Sequence, residues 1–105
     1  MNKKNVIIVL CTAPTKNWAR QISKIILIEK LAACITNFPN NFSLYCWKNN
    51  IIETTEIQML IKTNKIYQEA LLNLIKNIHP YQIPELLIFK VDGGYTEYLT
   101  WIVQN

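Results

Sequence analysis

Apolar residues run without a break from Val6 to Leu10, and four of the five are β-branched. A short continuous run of this kind predicts a strand buried on both faces. The period then changes. Trp18, Ile22, Ile25 and Ile26 recur at helical spacing, while Lys16, Lys24 and Lys30 fall elsewhere. Such a stripe predicts an amphipathic helix. Thr15, after Pro14, is the expected N-cap, and the helix is expected to reach about Leu31. Cys34 to Phe38 predicts an extended segment, interrupted at Pro39-Asn40-Asn41. Phe42 to Trp47 and Ile51 to Thr63 read as the two arms of a hairpin. Asn49-Asn50 supplies the two-residue loop, since Asn tolerates the positive φ that tight hairpin turns need. That loop pairs Trp47 with Ile52, Tyr45 with Thr54, and Ser43 with Glu56. One hairpin face then carries Leu44, Cys46, Ile57, Met59 and Ile61 and is expected to be core. The other carries Tyr45, Trp47, Glu56, Gln58, Leu60 and Lys62.

Helical spacing returns with Tyr67, Leu71, Leu74, Ile75 and Ile78, which predicts a second amphipathic helix from about Lys65 to Ile78. Pro80 restricts His79 and ends it. Leu86 to Val91 is a second apolar strand, expected in the centre of the sheet, with Pro84 at its approach. Asp92-Gly93-Gly94 makes a turn, and a short last helix places Tyr95, Tyr98, Trp101 and Ile102 on one side. The order is β-α-β-β-α-β plus a C-terminal helix. It predicts an α+β, ferredoxin-like split βαβ sandwich, with two helices on one face of an antiparallel sheet. No linker, repeat or low-complexity stretch divides residues 1–105, so one domain is expected. The second sheet face is left bare, with Tyr45, Trp47 and Leu60 in water. An uncovered aromatic face implies a partner, and self-association is the expectation.

Composition narrows the classes. Half of the 105 residues are hydrophobic, enough for a core. No apolar run reaches the length of a transmembrane helix, so no membrane partner is expected. The opening MNKKNVIIVLCTAP has a signal-like start, but its apolar part is short and β-branched and reads as a strand. Cys11, Cys34 and Cys46 are odd in number and lack CxxC spacing, which predicts free thiols in a reducing, cytoplasmic setting. The net charge of +4 is spread over scattered lysines. No basic stripe interleaves with aromatics, so nucleic acid is not an expected partner. Gly93 and Gly94 are the only glycines. That leaves no Gly-rich phosphate or oxyanion loop, and the chain is not expected to be an enzyme.

Six blocks, LCTAP (Leu10–Pro14), EKLAAC (Glu29–Cys34), LYCW (Leu44–Trp47), EIQMLIKT (Glu56–Thr63), HPYQIPELL (His79–Leu87) and YLTWI (Tyr98–Ile102), together resemble CutA, the divalent-cation tolerance family. The resemblance runs from Val6 to the end of the chain in the family's order. It implies a ferredoxin-like homotrimer in the cytoplasm, packed around a threefold axis like the PII signalling proteins. It also implies binding of copper or another divalent cation through Cys11 and His79. The family's His before that position is replaced by Ile78 here, and the usual Gly of the hairpin turn is absent.

Two constellations result. A thiolate and an imidazole, as at Cys11 and His79, suit copper. Read from the residues alone, the packing reading leads: Cys11 is a small buried hydrophobe and His79 a helix-terminal residue in the field of the dipole. Ile78 lies on the apolar stripe of the second helix and reads as packing, so copper affinity below that of a His-His relative is expected. Cys34 and Cys46 read as core cysteines. The second constellation is Tyr45, Trp47, Glu56, Lys62, Tyr81 and Glu85. It reads either as subunit packing with ion pairs or as an inter-subunit cleft for a small ligand. The leading expectation is a trimeric divalent-cation (copper) binding protein of metal tolerance. The alternative is a PII-like signalling or scaffold trimer with a small cleft ligand, and a third reading is a structural partner of another protein.

Overall fold

The computed structural model describes residues 5–105; residues 1–4, with both lysines of the signal-like start, lie outside the described residues. Strand β1 (Val6–Ala13) leads into helix α1 (Lys16–Ile28). The long strands β2 (Cys34–Trp47) and β3 (Asn50–Asn64) follow, then helix α2 (Gln68–Ile78), strand β4 (Leu86–Lys90) and helix α3 (Thr96–Gln104). The sheet order is β2-β3-β1-β4, and every neighbouring pair is antiparallel. This is the ferredoxin-like α+β arrangement. Odd-numbered positions of β1 and β3 (Ile7, Val9, Cys11 and Ile57, Met59, Ile61) face the helices and are buried with Ile22, Ile26, Leu71 and Ile75. The even-numbered positions form the open face, which α3 covers only at one end. There Val6 is buried with Leu99, Ile102 and Val103.

Local chemistry sets the boundaries. The Thr15 side chain caps α1 by accepting from Trp18 N at 3.1 Å, satisfying one orphan donor of the first turn. The helix stops at Ile28, short of the expected Leu31, because Lys30 turns left-handed at φ 59°. Lys30 N then donates to Leu27 O and Leu31 N to Ile26 O, each at 3.1 Å. That is the Schellman pattern of a helix end. Asn64 ends β3 and caps a 3₁₀ turn over Lys65–Tyr67, accepting from Ile66 N at 3.2 Å. The second α-helix therefore begins at Gln68 rather than Lys65.

The hairpin turns on Lys48-Asn49, both at positive φ (50° and 66°), not on Asn49-Asn50. Trp47 pairs with Asn50, Tyr45 with Ile52 and Ser43 with Thr54, two positions from the expected register. A bulge between Phe38 and Asn41, with Asn40 at φ 64°, joins the two extended segments into one strand. Two further expectations are corrected. Cys46 is exposed rather than core, and Leu44 on the same face is 59 % exposed. Both sit on the hairpin arm that outruns the helices. Strand β4 is an edge strand, not a central one, since only β1 pairs with it. In α3 the buried side is Leu99, Ile102 and Val103, while Tyr98 stacks on Trp101 outside, ring centroids 5.8 Å apart.

Candidate functional site

At the end of β1 the chain brings its lone histidine and its buried cysteine to one atom. The β1–β4 ladder stops at the Cys11–Leu86 pair, and the next carbonyl, that of Thr12, is met by side chains. His79 Nε2 donates to Thr12 O at 2.7 Å, and the Cys11 thiol reaches the same oxygen at 3.6 Å. Pro80 explains why His79 is there. The residue before proline is pushed out of the α region, and His79 leaves α2 with ψ 140°, so its ring swings back to β1. On the far side of the ring, Tyr81 N donates to Nδ1 at 3.0 Å. The carbonyl can only accept and the amide can only donate, so the imidazole is neutral, protonated on Nε2. Both ring nitrogens are committed.

Cys11 is fully buried. Burial pushes its thiol up to about 12 from an ordinary 9.0, helped by the charges of Glu85 and Glu56 and partly opposed by the Thr12 bond. The folded state therefore holds this proton more tightly than the unfolded chain. Its stabilising effect is complete below pH 9.0 and is lost as pH rises toward 12. A thiol reagent near neutral pH is expected to modify exposed Cys46 first and Cys11 only after unfolding. Mass spectrometry of the labelled peptides checks this, and early labelling of Cys11 would contradict the assigned burial.

Thr12 also connects this pair to a cleft. Its residue lines a cavity of about 750 Å³ with Ser43, Tyr45, Thr54, Glu56, Tyr81 and Glu85, among others. The cleft opens on the uncovered sheet face, where Ser43 and Thr54 are directly paired. Tyr81 crosses it and donates its hydroxyl to Glu56 Oε2 at 3.0 Å. Burial first, then that bond and the Glu56 charge, push the Tyr81 phenol up to about 12. Thr54 Oγ1 is buried there with no hydrogen-bond partner among the described residues, an unusual state for a native polar atom.

Of the residues expected from sequence, four meet in this cleft: Tyr45, Glu56, Tyr81 and Glu85. Trp47 stands at the hairpin turn with Lys48 Nζ 6.0 Å from its ring centroid. Lys62 is at the other end of β3, donating to Thr36 Oγ1 at 3.3 Å and lying 5.9 Å from the Tyr98 ring. Cys34 is half-buried. Ile78 packs against the core, as its place on the α2 stripe predicts. Thr12, Ser43 and Thr54 escaped the sequence reading. Parity on the hairpin puts Ser43 and Thr54 on the Tyr45 face, and that is the only signal available. Among the described residues no three His, Cys, Asp or Glu side chains gather as metal ligands.

Fold and cleft together define a ferredoxin-like α+β domain with an oxygen-lined, acidic cleft on its open sheet face. Residues 7–105 match the family model described as CutA1 divalent ion tolerance protein. The divalent-cation tolerance protein CutA of Yersinia pestis (strain Pestoides F) is 47 % identical over 98 residues, 93 % of this chain and 82 % of that one. The crystal structure of CutA from Xylella fastidiosa superposes with a TM-score of 0.90 at 41 % identity, covering 93 % and 94 % of the two chains. The periplasmic divalent cation tolerance protein CutA from Archaeoglobus fulgidus superposes with a TM-score of 0.88 at 32 % identity, over 92 % and 94 %. The chain belongs to the CutA1 divalent ion tolerance family. No described helix is long and apolar enough to cross a membrane.

Proposed function

We propose that this protein is a cytoplasmic homotrimer that contributes to divalent-cation tolerance by binding the ion in the cleft between Glu56 and Glu85. The observation that carries this reading is a single cleft lined by Glu56 and Glu85 together with Thr12, Ser43, Thr54 and Tyr81, in which Thr54 Oγ1 is unpartnered. Hard divalent cations are commonly held by one or two carboxylates with water completing the shell. The donor set fits such an ion. Glu56 and Glu85 supply charge, and the hydroxyls of Thr54 and Ser43 supply neutral oxygens. Tyr81 keeps Glu56 oriented. His79 and Cys11 stand behind the cleft wall and position Thr12. The half-exposed apolar face beside the cleft supports assembly, which would place a second chain against the opening. The same cleft suits a small organic ligand of the PII-like alternative, and cation binding would then be secondary.

A copper site at Cys11 and His79 is the second reading, favoured by their convergence on Thr12 O. As folded, the pair has no donor ready for copper: the buried thiol would have to release its proton, and both imidazole nitrogens are bonded. Copper would have to displace the Tyr81 amide or the Thr12 carbonyl. A competition titration of reduced, metal-free protein with Mg²⁺, Mn²⁺, Cu(I) and Cu(II) decides between the two. Cleft binding predicts that Glu56→Gln and Glu85→Gln each weaken Mn²⁺ by about tenfold, the equivalent of one lost charged ligand. Cys11→Ser would leave Mn²⁺ unchanged. Copper binding abolished by Cys11→Ser and untouched by Glu56→Gln would transfer the site to the thiol.

A further inference from the structure

A second cavity, of about 370 Å³, lies on the opposite side of the sheet, between α1 and the bulged stretch of β2. Its rim is Lys16, Arg20 and Lys24, and its lining contains no acidic residue. The three cations stand one turn apart on α1, so their Cα atoms span about 12 Å in a row. Like charges four residues apart disfavour a helix. Lys16, in the first turn, also opposes the dipole, which favours anions at that end. The first turn of α1 carries no acidic residue to offset it. The helix therefore keeps three like charges in a row although their mutual repulsion opposes it.

The groove beneath is built. Buried Ala19 and Ile57, with Leu27 and Pro39, make an apolar floor. Ser23 is 8 % exposed, and its Oγ accepts from Asn37 Nδ2 at 3.3 Å, which leaves the hydroxyl proton to be donated. The bulge between Phe38 and Asn41 sets where Pro39 and Asn37 stand relative to α1, a common use of bulges near binding sites. The charged donors on the rim, Lys and Arg, suit phosphoryl oxygens. The volume is that of a small ligand pocket and too short for a partner's helix or strand.

We propose that the Lys16–Arg20–Lys24 groove binds a small organic phosphate with two or more phosphoryl groups, its apolar part lying on the Leu27–Pro39–Ile57 floor. The site faces away from the Glu56–Glu85 cleft, and its occupancy needs no divalent cation. Calorimetric titration of the full chain in EDTA with inorganic tripolyphosphate and with ADP tests it. Saturable binding of both is expected, one per chain. Arg20→Ala and Lys24→Ala are each expected to weaken it by about tenfold, and Lys65→Ala, an exposed lysine outside the groove, leaves it unchanged. ADP is expected to bind tighter than inorganic pyrophosphate because of the floor, and Leu27→Ser should erase that difference. No saturation at millimolar concentration, equal weakening by Lys65→Ala, or insensitivity to Arg20→Ala would each overturn the proposal.

Discussion

Replacing His79 with alanine is expected to destabilise the protein by about 3 kcal/mol. The ring is 8 % exposed and is held from both sides. Removing it leaves the Thr12 carbonyl with only the weak Cys11 thiol contact and the Tyr81 amide without its partner, bonds of 2.7 and 3.0 Å to the ring in the native chain. An unsatisfied buried group costs about 1–3 kcal/mol, and the lost imidazole adds a cavity cost. The Tyr81 N bond is only part-buried, and the Cys11 thiol stays on Thr12 O, which keeps the sum near the lower end. Denaturant unfolding of metal-free protein, with and without the substitution, measures the loss as a shift in midpoint at constant slope. Because no metal is present, the result reports the structural role alone. A loss below about 1 kcal/mol would mean the turn after α2 holds without the ring. His79 would then be free to reorient toward a ligand, and the copper reading would gain.

The faces of the hairpin were readable in the sequence even though its register was not. The true turn lies one residue earlier, which shifts each pair by two. A shift of two preserves side-chain parity, so Tyr45, Glu56 and Lys62 stay on one face and Ile57, Met59 and Ile61 on the other. The turn was missed because it seats Lys48 at φ 50°, a conformation that costs a residue with a Cβ and that Asn accepts more readily. Parity also says which face a residue takes but not how far the covering helices extend. That is why Cys46 shares the core face and is nevertheless exposed. The site was half legible. Pro80 forces His79 into an extended backbone, and this follows from local sterics. That its two nitrogens would be claimed by Thr12 and Tyr81 depends on where β4 stops pairing, a tertiary fact. The groove on α1 is a case of the same kind. Lys16 and Lys24 look scattered along the chain, and only the helix with Arg20 between them makes a row.

Leu87→Glu combined with Phe89→Glu is expected to turn the proposed homotrimer into a monomer at micromolar concentration. Leu87 pairs with Leu10 and Phe89 with Ile8, so both lie on the open face, clear of the core. They are 51 % and 50 % exposed in the single chain. That exposure is why the fold should survive the change, with circular dichroism and the α1–α2 core unaltered. In an assembly that covers this face, burying the exposed half of each side chain contributes about 1 kcal/mol. A carboxylate buried there without a partner opposes association by several kcal/mol more. In a threefold assembly every subunit contributes the same face, so the penalty is incurred three times. Sedimentation velocity of the double variant against the parent protein gives the answer. If the variant sediments as the parent does, association uses another surface, and the Glu56–Glu85 cleft must bind within one chain. If it falls to a monomer and Mn²⁺ affinity falls with it, the second chain completes the ion's shell. A monomer that keeps its Mn²⁺ affinity would mean that Thr54, Glu56, Tyr81 and Glu85 suffice alone.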